Sequence, residues 1–431
     1  MNIKIIPTKL EGTIDAIPSK SHAHRVLIAQ KLAQLQGQNK QDALMIPAFS
    51  EDIEATKNCL VQLDKEMPFL DCRESGSTLR FIMPVAMALK EEAIFMGTGK
   101  LPHRPLSPLK EEMESHGCIF YPGNGKQKVS DKYKEICTIA GRLQPGEYSL
   151  AGNISSQFIS GLLLALPLLD GDSLLELTTT LESAGYVDLT LDVLRDFGIE
   201  IKESKSRKGF KIYEIKGNQR YMEPDNMAIE GDWSNAAFWL ACGALGGDVT
   251  CRGLSLSSSQ RDKEIVGVLE DMGAEISITD NDDVASMEIC CRGNVLHAME
   301  VNVAQTPDIV PVLASVMSLA KGSSIIANAG RLKIKESNRL ETVFNFLLKL
   351  GADITYGGES LSITGLTSLK GGEAEGYNDH RIVMAAAVAS CGCQTPVIIK
   401  GAEAVKKSYP DFFNDFASLG GEVYKTGESG K

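Results

Sequence analysis

The chain has 431 residues, 43% hydrophobic and 23% charged, enough to bury two ordinary cores without disulfide or metal staples. Its formal net charge is −12 and its lysines and arginines form no dense run, which argues against nucleic acid as a partner. No apolar stretch reaches the roughly 18 uncharged residues of a membrane span, so the chain is expected to be soluble, cytoplasmic and not membrane-bound.

Met1 to Leu10 alternates apolar and charged residues, as a strand does and a signal peptide does not. From Ser19 onward one element recurs, a polar or small-residue cluster that runs into an apolar stretch of helical length. The copies begin at Ser19-Lys20-Ser21-His22-Ala23-His24-Arg25, Glu74-Ser75-Gly76-Ser77-Thr78, Ile154-Ser155-Ser156-Gln157, Gly231-Asp232-Trp233-Ser234-Asn235, Gln305-Thr306-Pro307-Asp308 and Tyr377-Asn378-Asp379-His380-Arg381. Between Ser21, Ser77, Ser156, Ser234, Asp308 and Asp379 the steps are 56, 79, 78, 74 and 71 residues. Such a period marks a repeated supersecondary unit.

A second element keeps pace, an amphipathic helix that ends at a glycine and gives way to an apolar strand. The glycines are Gly117, Gly198, Gly273, Gly351 and Gly420, with Asp64 in the corresponding place of the first copy. The pattern predicts an α/β fold of six βαβαββ-type units, three to a lobe. The N-terminal strand near Ile3–Ile6 is expected to join the C-terminal lobe. The lobes are then 17–227, and 1–16 with 228–431, the active site lying in the cleft between them. The last stretch, Thr426–Lys431, is expected to lack structure on composition.

Ten scattered cysteines show no two-residue spacing and read as buried free thiols, Cys118 included. His116 and His297 read as structural or surface residues. Gly97-Thr98-Gly99-Lys100 lacks the spacing of a nucleotide-binding loop.

The six polar helix starts carry the function. Ser, Thr, Asp and Asn there can be helix caps and nothing more, as Thr78 and Ser234 illustrate. Six buried helices with the same polar start nevertheless present dipole ends and free N–H groups suited to anions. Cations accompany them: Lys20, Arg25, Arg104, Lys335, Arg339, Arg381 and Lys407. Arginine forks match carboxylate and phosphate oxygens in pairs, whereas lysine offers a point charge.

With these motifs the sequence resembles the 5-enolpyruvylshikimate-3-phosphate synthase family from Ile3 to about Leu419. The stretches that carry the resemblance are Pro18-Ser19-Lys20-Ser21 with Arg25, Gly76-Ser77-Thr78 with Arg80, Arg104-Pro105, Ser155-Ser156-Gln157-Phe158, and Ser183 with Tyr186. They continue with Glu230-Gly231-Asp232, Pro307-Asp308, Lys335-Glu336-Ser337-Asn338-Arg339, Asn378-Asp379-His380-Arg381 and Lys407-Ser408-Tyr409-Pro410-Asp411. The resemblance implies a two-lobed inside-out α/β barrel of the enolpyruvyl transferase kind. It implies transfer of the enolpyruvyl group of phosphoenolpyruvate to the 5-hydroxyl of shikimate 3-phosphate, with no metal or organic cofactor and a monomeric chain.

Carried over by position, Lys20, Ser21, Arg25, Ser155, Ser156, Gln157, Ser183, Asp308 and Lys335 would hold shikimate 3-phosphate. Lys20, Gly76, Arg104, Gln157, Arg339, Arg381 and Lys407 would hold phosphoenolpyruvate. Asp308, Glu336 and Lys20 would supply the acid–base chemistry, with His380 beside them. Glyphosate inhibition is implied as well, since Gly76 stands where sensitive members have glycine. Glu74, Phe81, Arg331 and His22-Ala23-His24 depart from commoner members and bear on fine contacts. Two alternatives remain open: transfer to a UDP-linked amino sugar on a similar fold, and a non-catalytic ligand sensor. The first expects a reactive cysteine near Arg104, the second broken acid–base positions.

Overall fold

The computed structural model describes residues 1–38, 45–47, 49–123, 134–279 and 287–426. By its internal contacts the chain divides into two compact units, Lys20–Ile229, and Met1–Ser19 with Glu230–Lys431. Each has its own hydrophobic core. Expectations for 427–431 lie outside the described residues. Thr426, expected to lack structure, instead closes the strand Glu422–Thr426.

The polar-started helices form the middle of each core. In one unit these are Lys20–Leu35, Gly76–Leu89 and Ser156–Ala165, in the other Trp233–Ala244, Val310–Met317 and His380–Ser390. Every residue of Trp233–Ala244 and of His380–Ser390 is buried, as expected for helices apolar nearly all round. Close approach needs small residues. Gly161 lies so near the Arg80 carbonyl that a Cβ there would overlap it, and this lets Ser156–Ala165 lie against Gly76–Leu89.

The sheets share one plan. Among the described residues there are five, each of four strands. In the sheet containing Phe69–Asp71, that strand runs parallel to Glu92–Gly97. Lys134–Ala140 then pairs antiparallel with both Glu92–Gly97 and Ile119–Pro122. The unit in chain order is therefore strand, buried helix, strand, second helix, strand, strand. The five glycines read as helix stops all have positive φ, between 75° and 108°.

Two features differ from the sequence reading. The first copy contributes the helices Lys20–Leu35 and Glu51–Gln62 but no strand among the described residues. Conversely, the first fifteen residues complete two sheets, not one. Asn2–Ile6 pairs antiparallel with both Val397–Lys400 and Glu422–Thr426. Glu11–Asp15 runs parallel to Asp248–Arg252 and supplies the outer strand of a second sheet. It escapes a periodicity search because Glu11, Gly12, Thr13 and Asp15 are exposed or nearly so and show no apolar face.

Candidate active site

The turn Pro307–Ile309 leads into the helix Val310–Met317 and presents Asp308 to a group of cations. Arg339 Nη1 lies 2.8 Å, Lys335 Nζ 3.2 Å and Arg381 Nη2 3.5 Å from its carboxylate. Arg381 Nη1 also donates to the Asp308 carbonyl at 3.1 Å. Burial alone would raise the Asp308 carboxyl, but Arg381, Lys335 and Arg339 together hold it well below the usual range. Lys335 is pushed down to about 8 by burial, aided by Arg331 and Arg339 and opposed by Asp308.

Asp379 fixes the geometry from behind. Fully buried, it caps the helix His380–Ser390 by accepting from Arg381 N and takes the Arg339 fork through Nε at 2.8 Å and Nη2 at 3.1 Å. Ser337 donates to the same carboxylate at 2.9 Å. Glu336 stands 2.9 Å from His380 Nδ1 and 3.8 Å from Arg339 Nη2. Burial would raise Glu336, yet His380, Arg339 and Lys407 hold it well below its ordinary value. Lys407 Nζ donates to the Asn378 carbonyl at 2.6 Å. These elements thus gather Asp308, Lys335, Glu336, Arg339, Arg381 and Lys407.

The other unit gathers its own group. Lys20, first in its helix, pairs with Asp52 at 2.7 Å. Arg25 is 2% exposed. Its guanidinium donates to the Ser21 and Tyr186 carbonyls and the Thr190 hydroxyl and lies over the Phe81 ring. Within this unit Arg25 braces the Lys20–Ser21 turn. Gly76 opens its helix beside two guanidiniums: a Cβ there would stand 2.5 Å from Arg104 Nη1 and 2.6 Å from Arg80 Nη1. Gln157 donates to Ser77 Oγ at 2.9 Å. Ser155 flanks the helix Ser156–Ala165, and Ser183 enters its helix in the left-handed region, at φ 52°.

Two expected caps are corrected. Ser75, not Thr78, caps Gly76–Leu89, and Asp232, not Ser234, caps Trp233–Ala244. The caps stand outside the helix, where a side chain can reach the free N–H groups. Thr78 instead bonds the Thr56 and Ser75 hydroxyls, and Ser234 donates to Asp262.

Comparison with known proteins now bears on this site. The family model described as EPSP synthase (3-phosphoshikimate 1-carboxyvinyltransferase) matches residues 5–416. A relative from Clostridium kluyveri, named 3-phosphoshikimate 1-carboxyvinyltransferase, is 43% identical over 98% of this chain and 98% of its own length. The chain belongs to the EPSP synthase family. Its fold matches that of EPSP synthase from Acinetobacter baumannii, with a TM-score of 0.76 at 22% identity, covering 98% of this chain and 100% of that one. The enolpyruvyl transferase NikO from Streptomyces tendae shares the fold at a TM-score of 0.69 and 14% identity, covering 99% and 98%. The two-lobed enolpyruvyl transferase architecture is thereby established for this chain.

Within this family member, sequence reasoning missed several supporting residues. Asp379 and Arg80 stood inside the quoted motifs, but nothing in a linear motif says which member ties the others down. Asp52 and Asp262 lie outside every motif, and only tertiary packing brings them to Lys20 and Ser234. Asp262 is pushed up to about 6, chiefly by burial and then by the Asp308 charge, with Arg381 opposing. Glu336, Asp379 and His380 bring three ligand atoms within 4.8 Å of one another. Asp379 already binds Arg339 with both oxygens, and Lys407 and Arg339 press positive charge on Glu336, so this group suits cations of the protein better than a metal ion. In the Gly97–Lys100 loop the Glu74 carboxylate crowds Gly99, a poor neighbour for a phosphate. All ten cysteines are free and only Cys290 is not buried. Among the described residues no helix is long and apolar enough to cross a membrane.

Proposed function

We propose that this chain transfers the enolpyruvyl group of phosphoenolpyruvate to the 5-hydroxyl of shikimate 3-phosphate by addition and elimination, releasing phosphate. The names of its relatives support the reaction. The observation that carries the residue assignment is the convergence of Arg339, Lys335 and Arg381 on one half-buried carboxylate, Asp308.

Asp308 serves as general base, a role worth about 10²–10⁴-fold. In the free protein the three cations keep it ionised but weakly basic. Substrate phosphate and carboxylate groups compete for the same cations. As these turn toward the ligand, Asp308 loses neutralising partners and gains basicity just when the 5-hydroxyl must give up its proton. The hydroxyl oxygen attacks carbon 2 while Lys20 delivers a proton to carbon 3, forming the methyl group of a tetrahedral adduct; Glu336, held ionised by His380, Arg339 and Lys407, serves as an acceptor. Loss of a methyl proton, to the Lys20 amine left by the first step or to the Glu336 carboxylate, then reforms the double bond as the carbon–oxygen bond to phosphate breaks. Arg339, Arg381, Lys407 and Arg104 stabilise the departing charge.

Shikimate 3-phosphate is held by Lys20, Ser21, Arg25, Ser155, Ser156, Gln157, Ser183, Asp308 and Lys335. Phosphoenolpyruvate is held by Lys20, Gly76, Arg104, Gln157, Arg339, Arg381 and Lys407. The enzyme works as a cytoplasmic monomer without metal or organic cofactor. Phosphate release measured with both substrates, then with UDP-N-acetylglucosamine replacing shikimate 3-phosphate, tests the reading. Turnover with the UDP-sugar alone would overturn it, and a loss of turnover on adding a chelator would overturn the metal-free mechanism.

A further inference from the structure

Arg80 belongs to none of the ligand sets above, yet its position is unusual. It is 3% exposed, one turn into the helix Gly76–Leu89, and among the described residues it makes no ion pair. Its donors go to three acceptors on three separate segments. Nη1 reaches Gln157 Oε1 at 3.1 Å and the Gly76 carbonyl at 3.4 Å, and Nη2 reaches the Pro105 carbonyl at 3.2 Å. The guanidinium carbon lies 5.4 Å from the centroid of Phe158, the neighbour of Gln157, and Nε is buried with no acceptor. A methionine would fill the space, so filling alone does not account for a buried charge.

Those segments carry Gly76, Gln157 and Arg104, which with Lys20 are the phosphoenolpyruvate residues of this unit. We propose that Arg80 is a positioning residue for phosphoenolpyruvate: it sets the orientation of the Gln157 amide and fixes the Gly76 and Pro105 backbone against it.

The chemistry is directional. Arginine is only a donor, so the Gln157 atom facing Arg80 must be the oxygen. With Oε1 so engaged, Nε2 faces Ser77 Oγ and donates to it at 2.9 Å. An amide nitrogen carries two protons, and the second remains for an anionic substrate. Flipping the amide would set N–H against N–H at Arg80 and withdraw that donor. The Pro105 bond works on the adjacent residue, Arg104, by holding the backbone from which its side chain extends. Burial first, and then the nearby Arg104 charge, lower Arg80 well below its ordinary value. A bound anion beside the pair would offset the Arg104 contribution.

The inference rests on the assignment of Gly76, Gln157 and Arg104 to phosphoenolpyruvate, and the experiment separates the two. Michaelis constants for both substrates are measured for wild type, Arg80→Lys, Ser77→Ala, Arg104→Gln, Gln157→Ala and Arg80→Lys with Gln157→Ala. A Michaelis constant does not depend on the fraction of protein folded, so partial misfolding does not blur the comparison. Arg80→Lys keeps the charge but cannot span the acceptors, and should raise the phosphoenolpyruvate constant about tenfold or more. The shikimate 3-phosphate constant should move less than about threefold. Ser77→Ala, which leaves the buried charge alone, should move the phosphoenolpyruvate constant in the same direction by a smaller factor. In the Gln157→Ala background Arg80→Lys should cost markedly less, because the two act through one contact. Equal shifts in both constants, or strict additivity with Gln157→Ala, would overturn the role of Arg80. An unchanged phosphoenolpyruvate constant in Arg104→Gln would instead overturn the site assignment beneath it.

Discussion

At Asp308 the balance of charge makes a prediction that shape alone would not. Asp308→Asn keeps the outline of the side chain but removes both the base and the partner of three cations. Turnover should fall about 100-fold or more, while affinity for anionic substrates holds or improves because Arg339, Lys335 and Arg381 are released. Rapid-quench turnover and equilibrium binding on the same preparation check it, and near-native turnover would remove Asp308 from the mechanism. Lys335 gives a pH dependence. Its pKa falls from 10.5 to about 8, so its ammonium is present below that pH and lost above it. The Michaelis constant for shikimate 3-phosphate should be flat below pH 8 and rise above it, at most about tenfold per pH unit. Lys335→Arg should flatten that rise. The cations of this group were legible in the sequence because they sit in short motifs with acids and polar helix starts. The carboxylates that orient them were not: Asp379 has the same local appearance whether it caps a helix or also grips Arg339, and only the fold decides.

Among the elements, the polar helix starts and glycine stops were readable because each is a local backbone requirement. A free N–H needs a nearby acceptor, and a left-handed residue favours glycine. Which polar residue caps was less readable, since several stand in a row at each start and the cap depends on where the first turn closes. Gly76 shows how an element's first residue bears on chemistry. An alanine methyl there would meet Arg104 and Arg80 guanidiniums directly, so it disturbs the protein's own anion-holding groups before it meets any ligand. Gly76→Ala should therefore raise the phosphoenolpyruvate Michaelis constant as well as the glyphosate inhibition constant. A paired titration checks this, and an unchanged Michaelis constant would mean that the methyl acts on the inhibitor alone. Gly161→Ala tests packing instead. The methyl would overlap the Arg80 carbonyl and push two buried helices apart, at a cost of about 1–3 kcal/mol read by denaturant unfolding.

For the whole molecule, two separate cores mean that damage can be assigned to one unit. Ile5 is fully buried in a strand flanked by Val397–Lys400 and Glu422–Thr426. Ile5→Ala should cost about 2–5 kcal/mol. Hydrogen exchange should show the loss of protection in 230–426 and not in 20–229; uniform loss would mean the cores unfold as one. The N-terminal strand Asn2–Ile6 was legible by its alternation. Glu11–Asp15 was not, because a strand that pairs through its backbone while exposing its side chains leaves little trace in hydropathy.

That both N-terminal strands belong with residues far along the chain has a consequence for synthesis. Asn2 pairs with Thr426, so a strand made before the unit Lys20–Ile229 must wait for one made long after it. The unit Lys20–Ile229 is continuous in sequence and can close its core while translation proceeds. The unit around it cannot: two of its sheets each lack a strand until Asp248–Arg252, and then Val397–Lys400 and Glu422–Thr426, have been made. Folding during synthesis is therefore ordered from the continuous unit outward, and Asn2–Ile6 is held in reserve until its partners arrive.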